Sequence, residues 1–139
     1  MNKDVYSFHD LAEWPSTGGA EAPPIRLAVI GDPVAHSLSP QLHGAALQTC
    51  GIGVSYGRLH IRPEELERAV PAIRDAGFLG FNVTIPHKSA IVPLVGRVED
   101  HARRIGAVNT VVCDENGLSA FNTDGPGFVR AIRSEFSVD

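Results

Sequence analysis

The feature that most constrains this chain is an alternation. Between Ile25 and Ile85, the apolar runs "IRLAVIG", "VSYGRLHI" and "LGFNVTI" are separated by "SPQLHGAALQTCG" and "PEELERAVPAIRDAG", whose apolar residues recur at helical spacing. Strands joined through helices must lie parallel in one sheet, with the helices covering its faces. The boundaries agree. Gly31 closes the first strand, Ser39 stands as a cap before Pro40, and Leu42, Ala45, Ala46 and Thr49 mark one helix side until Gly51. The second helix opens with Pro63 and two acids and stops at Gly77, and Pro71 inside it predicts a kink or a break between its turns.

Beyond the third strand, "SAIVPLV" and "VEDHARRIG" read as short helices. The β-rich segments on either side of "DENG" predict a hairpin, with Asn116-Gly117 in a tight turn at positive φ. "GPGFVRAIRSEF" then predicts a closing helix over 125–139, with Asp124 as a candidate cap. The sum is an α/β fold, a three-layer α-β-α domain with a mixed, mostly parallel sheet of five or six strands. A length of 139 residues suits one such domain. Its ordered part is expected to begin at Ile25 and run to Asp124. Residues 1–24 hold Gly18, Gly19, Pro15, Pro23 and Pro24, which predicts a flexible or loosely packed extension.

A formal charge of -4 gives no electrostatic reason to bind nucleic acid or an anionic membrane. Cys50 and Cys113 lie far apart without metal-clamp spacing, which predicts free thiols in a reducing compartment. No apolar run approaches the roughly 20 residues of a membrane span. The start "MNKDVYSFHD" does not read as a signal peptide, so the cytoplasm is the expected location.

Polar residues gather at predicted strand exits: Ser37 and Ser39 after the first, and Asn82, Thr84 and Lys88 at and after the third. In open α/β sheets, ligands sit outside the carboxyl ends of the strands, so these stretches are expected to line one cleft. Plainer roles exist for each. Ser39-Pro40 is a helix entry, Lys88 suits a solvated position in a first helical turn, and Asn109 and Asp124 suit turns or caps. Ser37 is not needed for capping, and two hydroxyls near free helix N–H groups make a mild carboxylate site. A lysine and an aspartate converging in such a cleft supply the parts for alcohol oxidation: one group takes the hydroxyl proton and the other orients the pair while hydride leaves. No "HExxH" occurs, and the only "GxSxG" match, "GVSYG" at Gly53–Gly57, runs into a predicted strand and not a strand-to-helix elbow, which weakens zinc and hydrolase readings.

Four motifs in order, "VIGDPVAHSLSPQLHGAAL", "GFNVTIPHK", "IGAVNTV" and "NTDGPGF", resemble the substrate-binding domain of shikimate dehydrogenases from about Ile25 to Phe136. That family uses NADP in aromatic amino acid biosynthesis. The resemblance implies that Ser37 and Ser39 hold a carboxylate of shikimate or 3-dehydroshikimate. It also implies that Asn82, Thr84, Asn109 and Asp124 bind the carboxylate side or ring hydroxyls, and that Lys88 is the catalytic lysine with Asp124 as its partner. It implies no metal, and monomers or dimers. Family members carry a Rossmann domain for NADP after the helix matching Gly125 to Phe136, whereas no "GxGxxG" or "GAGG" run occurs in these 139 residues. The chain therefore resembles the substrate-binding half of such an enzyme and is expected to be inactive alone. The family's substrate-touching glutamine from the second half is missing with it, and Ser89 stands where the family often has an acid. Two other readings remain, a quinate or quinate/shikimate dehydrogenase fragment and a non-catalytic binder of a small hydroxylated carboxylic acid. Ser39 leans toward shikimate, since quinate-using relatives more often have threonine there.

Overall fold

The computed structural model of the chain describes residues 3–138. Its elements in chain order are β1 (Tyr6–Ser7), β2 (Ile25–Gly31), α1 (Ser39–Thr49), β3 (Ser55–His60), α2 (Leu66–Asp75), β4 (Gly80–Val83), β5 (Arg97–Val98), α3 (Asp100–Ile105), β6 (Thr110–Asp114), β7 (Gly117–Phe121) and α4 (Asp124–Phe136). One sheet runs β1-β3-β2-β4-β6-β7-β5. Its first four members are parallel, β6 is antiparallel to both β4 and β7, and β5 is parallel to β7. The sheet has seven strands rather than five or six. The additions, β1 and β5, have two residues each, too few to leave an alternation in the sequence.

Alternation along the central strands makes the layers. Ala28, Ile30, Leu59, Phe81 and Val83 form the main core with Leu66, Ala69, Val70 and Ile73 of α2. Val29 points the other way, into a smaller cluster with Val34, Tyr56, Leu27 and Leu47 of α1. The packed side of α1 is His43, Gly44 and Leu47, while Leu42, Ala45, Ala46 and Thr49 face out, so the apolar spacing marks the wrong side of this helix. The break expected at Pro71 falls earlier: a 3₁₀ turn at Pro63–Glu65 precedes α2, which continues through the proline.

Residues 3–24 correct the expectation of a loose extension. Trp14 is 1% exposed and packs between Tyr6 and Phe78, with ring centroids at 5.0 and 4.8 Å. Tyr6 and Leu11 join the same core. A Cβ on Gly18 would collide with the indole, and one on Gly19 would lie 2.7 Å from the Trp14 carbonyl oxygen. The glycines that read as breakers are therefore needed for close packing on the tryptophan.

The hairpin forms with Asp114 opposite Gly117. Only Gly117 there has positive φ, at 120°, and the Asp114 carboxylate accepts the Asn116 N–H at 2.8 Å. A side-chain turn thus replaces the expected positive-φ asparagine. No helix among the described residues is long and apolar enough to cross a membrane.

Candidate active site

The site is assembled at the carboxyl ends of β2 and β4 and the amino end of α4. A Cβ on Gly31 would lie 2.5 Å from the Thr84 methyl, so the glycine lets the exits of β2 and β4 meet. Thr84 lies just beyond β4, and its N–H donates to the Ile30 carbonyl at 3.0 Å.

On the β2 side, Ser37 and Ser39 exchange the parts expected of them. Leu38 is the N-cap and Ser39 the first residue of α1, while Ser37 Oγ accepts the Ser39 N–H at 3.2 Å. Arg58 fixes this loop from β3, donating to the Ser37 carbonyl through Nε at 3.0 Å and Nη2 at 2.7 Å. Tyr56, on the same strand, donates its hydroxyl to Asn82 Oδ1 at 2.6 Å. Burial pushes the Tyr56 phenol well above the ordinary 10.0, with the nearby Ser39 hydroxyl pulling slightly the other way. The phenol is a neutral donor at every working pH.

Lys88 sits in a turn and not in the first turn of a helix. The turn is pinned on both sides of the lysine. The buried His87 places Nε2 2.6 Å from the Ile61 carbonyl, and the Lys88 carbonyl accepts the Val108 N–H at 2.7 Å. Lys88 Nζ then reaches Asp124 Oδ2 at 2.5 Å. Asp124 is the first residue of α4 and does not cap it; Asn122 Oδ1 accepts the Gly125 N–H at 3.0 Å instead, which leaves the Asp124 carboxylate for other partners.

Asn109 joins the two sides. Its Nδ2 donates to Asp124 Oδ1 at 3.0 Å and Thr123 Oγ1 at 2.8 Å, while its Oδ1 accepts from Thr110 Oγ1 and the Thr123 N–H. Asn82 Nδ2 donates to the Asn109 carbonyl at 3.2 Å and Thr110 Oγ1 at 3.1 Å. An unbroken line of side-chain hydrogen bonds therefore runs Tyr56, Asn82, Thr110, Asn109, Asp124, Lys88. Of the residues expected in the site, Asn82, Asn109, Asp124 and Lys88 lie on this line. Ser39 lies beside its Tyr56 end, Ser37 joins through Ser39, and Thr84 stands apart from it. Sequence reasoning missed Tyr56, Arg58, Thr110 and Asn122. The alternation of Tyr56, Arg58 and His60 against Gly57 and Leu59 in β3 was a signal for the first two.

No group of three or more His, Cys, Asp or Glu side chains among the described residues could hold a metal ion. The link from β2 to α1 passes through Asp32-Pro33 and enters the helix at Ser39-Pro40, without glycines that would let backbone N–H groups approach a pyrophosphate.

Residues 29–111 match the model of the shikimate dehydrogenase substrate binding domain. The chain belongs to the shikimate dehydrogenase family. It is 50% identical over 112 residues to the shikimate dehydrogenase (NADP(+)) of Geobacillus sp. (strain WCH70), covering 81% of this chain and 40% of that protein. The enzyme of Methanopyrus kandleri is 46% identical over 113 residues, covering 81% and 39%. Among solved structures, the Thermus thermophilus shikimate 5-dehydrogenase in complex with NADP(H) and shikimate aligns with a TM-score of 0.75 at 44% identity, covering 80% of this chain and 42% of that one. The Aquifex aeolicus shikimate dehydrogenase aligns at 0.76 and 41% identity, covering 79% and 42%. The chain thus spans about two fifths of the length of these relatives.

Proposed function

We propose that this chain is the shikimate-binding, proton-handling half of an NADP-dependent shikimate dehydrogenase acting in the cytoplasm on 3-dehydroshikimate and shikimate. The observation that carries the reading is the Lys88–Asp124 contact, held by Asn109 and continued by hydrogen bonds to the serine end of the site. Ser37 and Ser39 take the carboxylate; Asn82, Thr84, Asn109 and Asp124 face the ring hydroxyls. Asn109 already uses both donors and both acceptor positions inside the protein, so its first role is to hold Asp124. Lys88 holds or moves the proton at the oxygen of the reacting carbon, with Asp124 setting the direction of its ammonium. NADP supplies the hydride chemistry, and its binding falls to residues outside these 139.

The rim of the site supports the division. Leu38 and Ile85, on the two loops that carry the polar groups, are 73% and 71% exposed, as expected of walls that another body covers. Titration of the isolated chain with shikimate, followed by NMR, tests the proposal. Resonances of Ser37, Ser39, Asn82, Thr84, Lys88 and Asp124 should move together, and Lys88→Ala should weaken the binding. Binding that ignores Lys88 would overturn the assignment.

A further inference from the structure

The hydrogen-bonded line of the site carries no net charge. Its two ionised groups, Lys88 and Asp124, face each other and cancel, and the serine loop offers only neutral hydroxyls. Arg58 of β3 is bound to that loop. Its Nε and Nη2 both donate to the Ser37 carbonyl, at 3.0 and 2.7 Å, and Nη2 also donates to Gln41 Oε1 of α1 at 3.1 Å. Nη1 reaches the Asp4 carbonyl at 3.5 Å. Every one of these acceptors is neutral. Among the described residues the Arg58 guanidinium has no ion-pair partner, whereas Lys3, Arg62, Lys88 and Arg97 each face a carboxylate. A half-buried arginine tied to neutral oxygens keeps its whole charge beside the loop it holds.

We propose that Arg58 is a positioning residue that clamps the Ser37 carbonyl and gives the serine loop the positive charge by which it prefers an anion to a neutral ligand. The ligand part of this inference rests on the shikimate reading; the clamp does not. A carboxylate taken from water needs a compensating charge, and two serine hydroxyls bring none. The guanidinium needs no contact with the ligand, because its charge acts across the Ser37 peptide that it holds. Such an interaction is weakened by salt, which distinguishes it from packing.

The test compares the wild-type 139-residue chain with Arg58→Gln, which removes the charge and keeps amide N–H donors, and with Arg58→Lys, which keeps the charge. Affinities for shikimate and for its neutral carboxamide are measured by NMR titration. Arg58→Gln should weaken shikimate about 3- to 10-fold, the scale of one partly screened charge, and leave the carboxamide within about twofold. Arg58→Lys should keep the wild-type ratio of the two affinities to within about twofold. Equal weakening of both ligands in Arg58→Gln makes Arg58 a packing residue and overturns the proposal, as does unchanged shikimate binding. If the carboxamide does not bind the wild type, salt decides: the loss caused by Arg58→Gln should shrink at least about twofold between about 0.05 and 0.5 M sodium chloride, and a loss indifferent to salt overturns the proposal. If Arg58→Gln does not fold, the wild type decides: an Arg58 Nε–H resonance that shifts with shikimate and not with the carboxamide supports the proposal, and one that ignores shikimate overturns it. If neither ligand binds the wild type, the shikimate reading fails, and the clamp is decided by Arg58 Nε–H exchange, slow where the clamp holds and as fast as in free arginine where it does not.

Discussion

Lys88 and Asp124 are about one-third and one-half exposed, so their contact adds little to stability, about 1 kcal/mol at most. Its value is direction, and substitution should separate the two effects. Asp124→Asn should leave the melting temperature nearly unchanged by calorimetry while shikimate affinity falls. Joined to a family NADP-binding half, Lys88→Ala should lower kcat by about 10²- to 10⁴-fold. Ser37→Ala should chiefly raise KM, because a carboxylate contact is made in ground and transition states alike. Steady-state kinetics checks both. Cys113, on β6 but not in the hydrogen-bonded line, offers a pH readout. Burial pushes its thiol from 9.0 up to about 11, so the folded state keeps a proton that the unfolded chain releases. Its stabilising contribution is full below pH 9 and is lost as pH rises toward 11; Cys113→Ser should flatten that part of the pH–stability curve. At residue scale, Ser37, Ser39, Lys88 and Asp124 stand out in the sequence by type and position, and the structure pairs Lys88 with Asp124 and Ser37 with Ser39. Tyr56 and Thr110 do not stand out, since a tyrosine or threonine in a strand reads equally well as packing.

Among the elements, the amino-terminal segment departs most from its sequence signal. Gly18, Gly19 and the prolines describe a turn-rich stretch, and nothing local says that Trp14 covers Phe78 from the other side of the core. Such pairings are tertiary and leave no period to read. Trp14→Ala should cost about 3 to 5 kcal/mol in chemical denaturation, as for other large aromatic deletions. The same segment carries an acid-sensitive latch. Burial would raise the Asp10 carboxyl, but Lys3 and the N–H and hydroxyl of Ser7 outweigh it and hold it below its usual value; Arg62 does the same for Glu65 despite partial burial. Depressed carboxylates stabilise above their unfolded values and lose that contribution as pH falls through the folded ones. Trp14 fluorescence should therefore report loosening below about pH 4. In α1 the sequence misled through composition: alanine serves either face, and the packed side was chosen by His43 stacking on Tyr56.

At the scale of the molecule, the alternation of strands and helices held from β2 to β4 because each crossover buries one face of each strand. The antiparallel β6–β7 hairpin was equally legible from its turn. The length of the sheet was not, since its edge strands β1 and β5 have two residues each and leave no alternation to read. The outer surface also bears on function. Phe128, Ile132 and Phe136 follow one another at one-turn spacing on α4 and are all exposed, together with Leu38 and Ile85 at the site. This apolar stripe fits the proposal that the site is completed by a second body carrying the cofactor. The direct test is an NMR titration of the 139-residue chain, first with shikimate and then with NADP. The account predicts millimolar-scale shikimate binding, about -4 kcal/mol, seen at Ser37, Ser39, Asn82, Asn109 and Asp124 together and weakened in Lys88→Ala, with no response to NADP. Shikimate-induced shifts confined to other surfaces, or micromolar NADP binding, would contradict it.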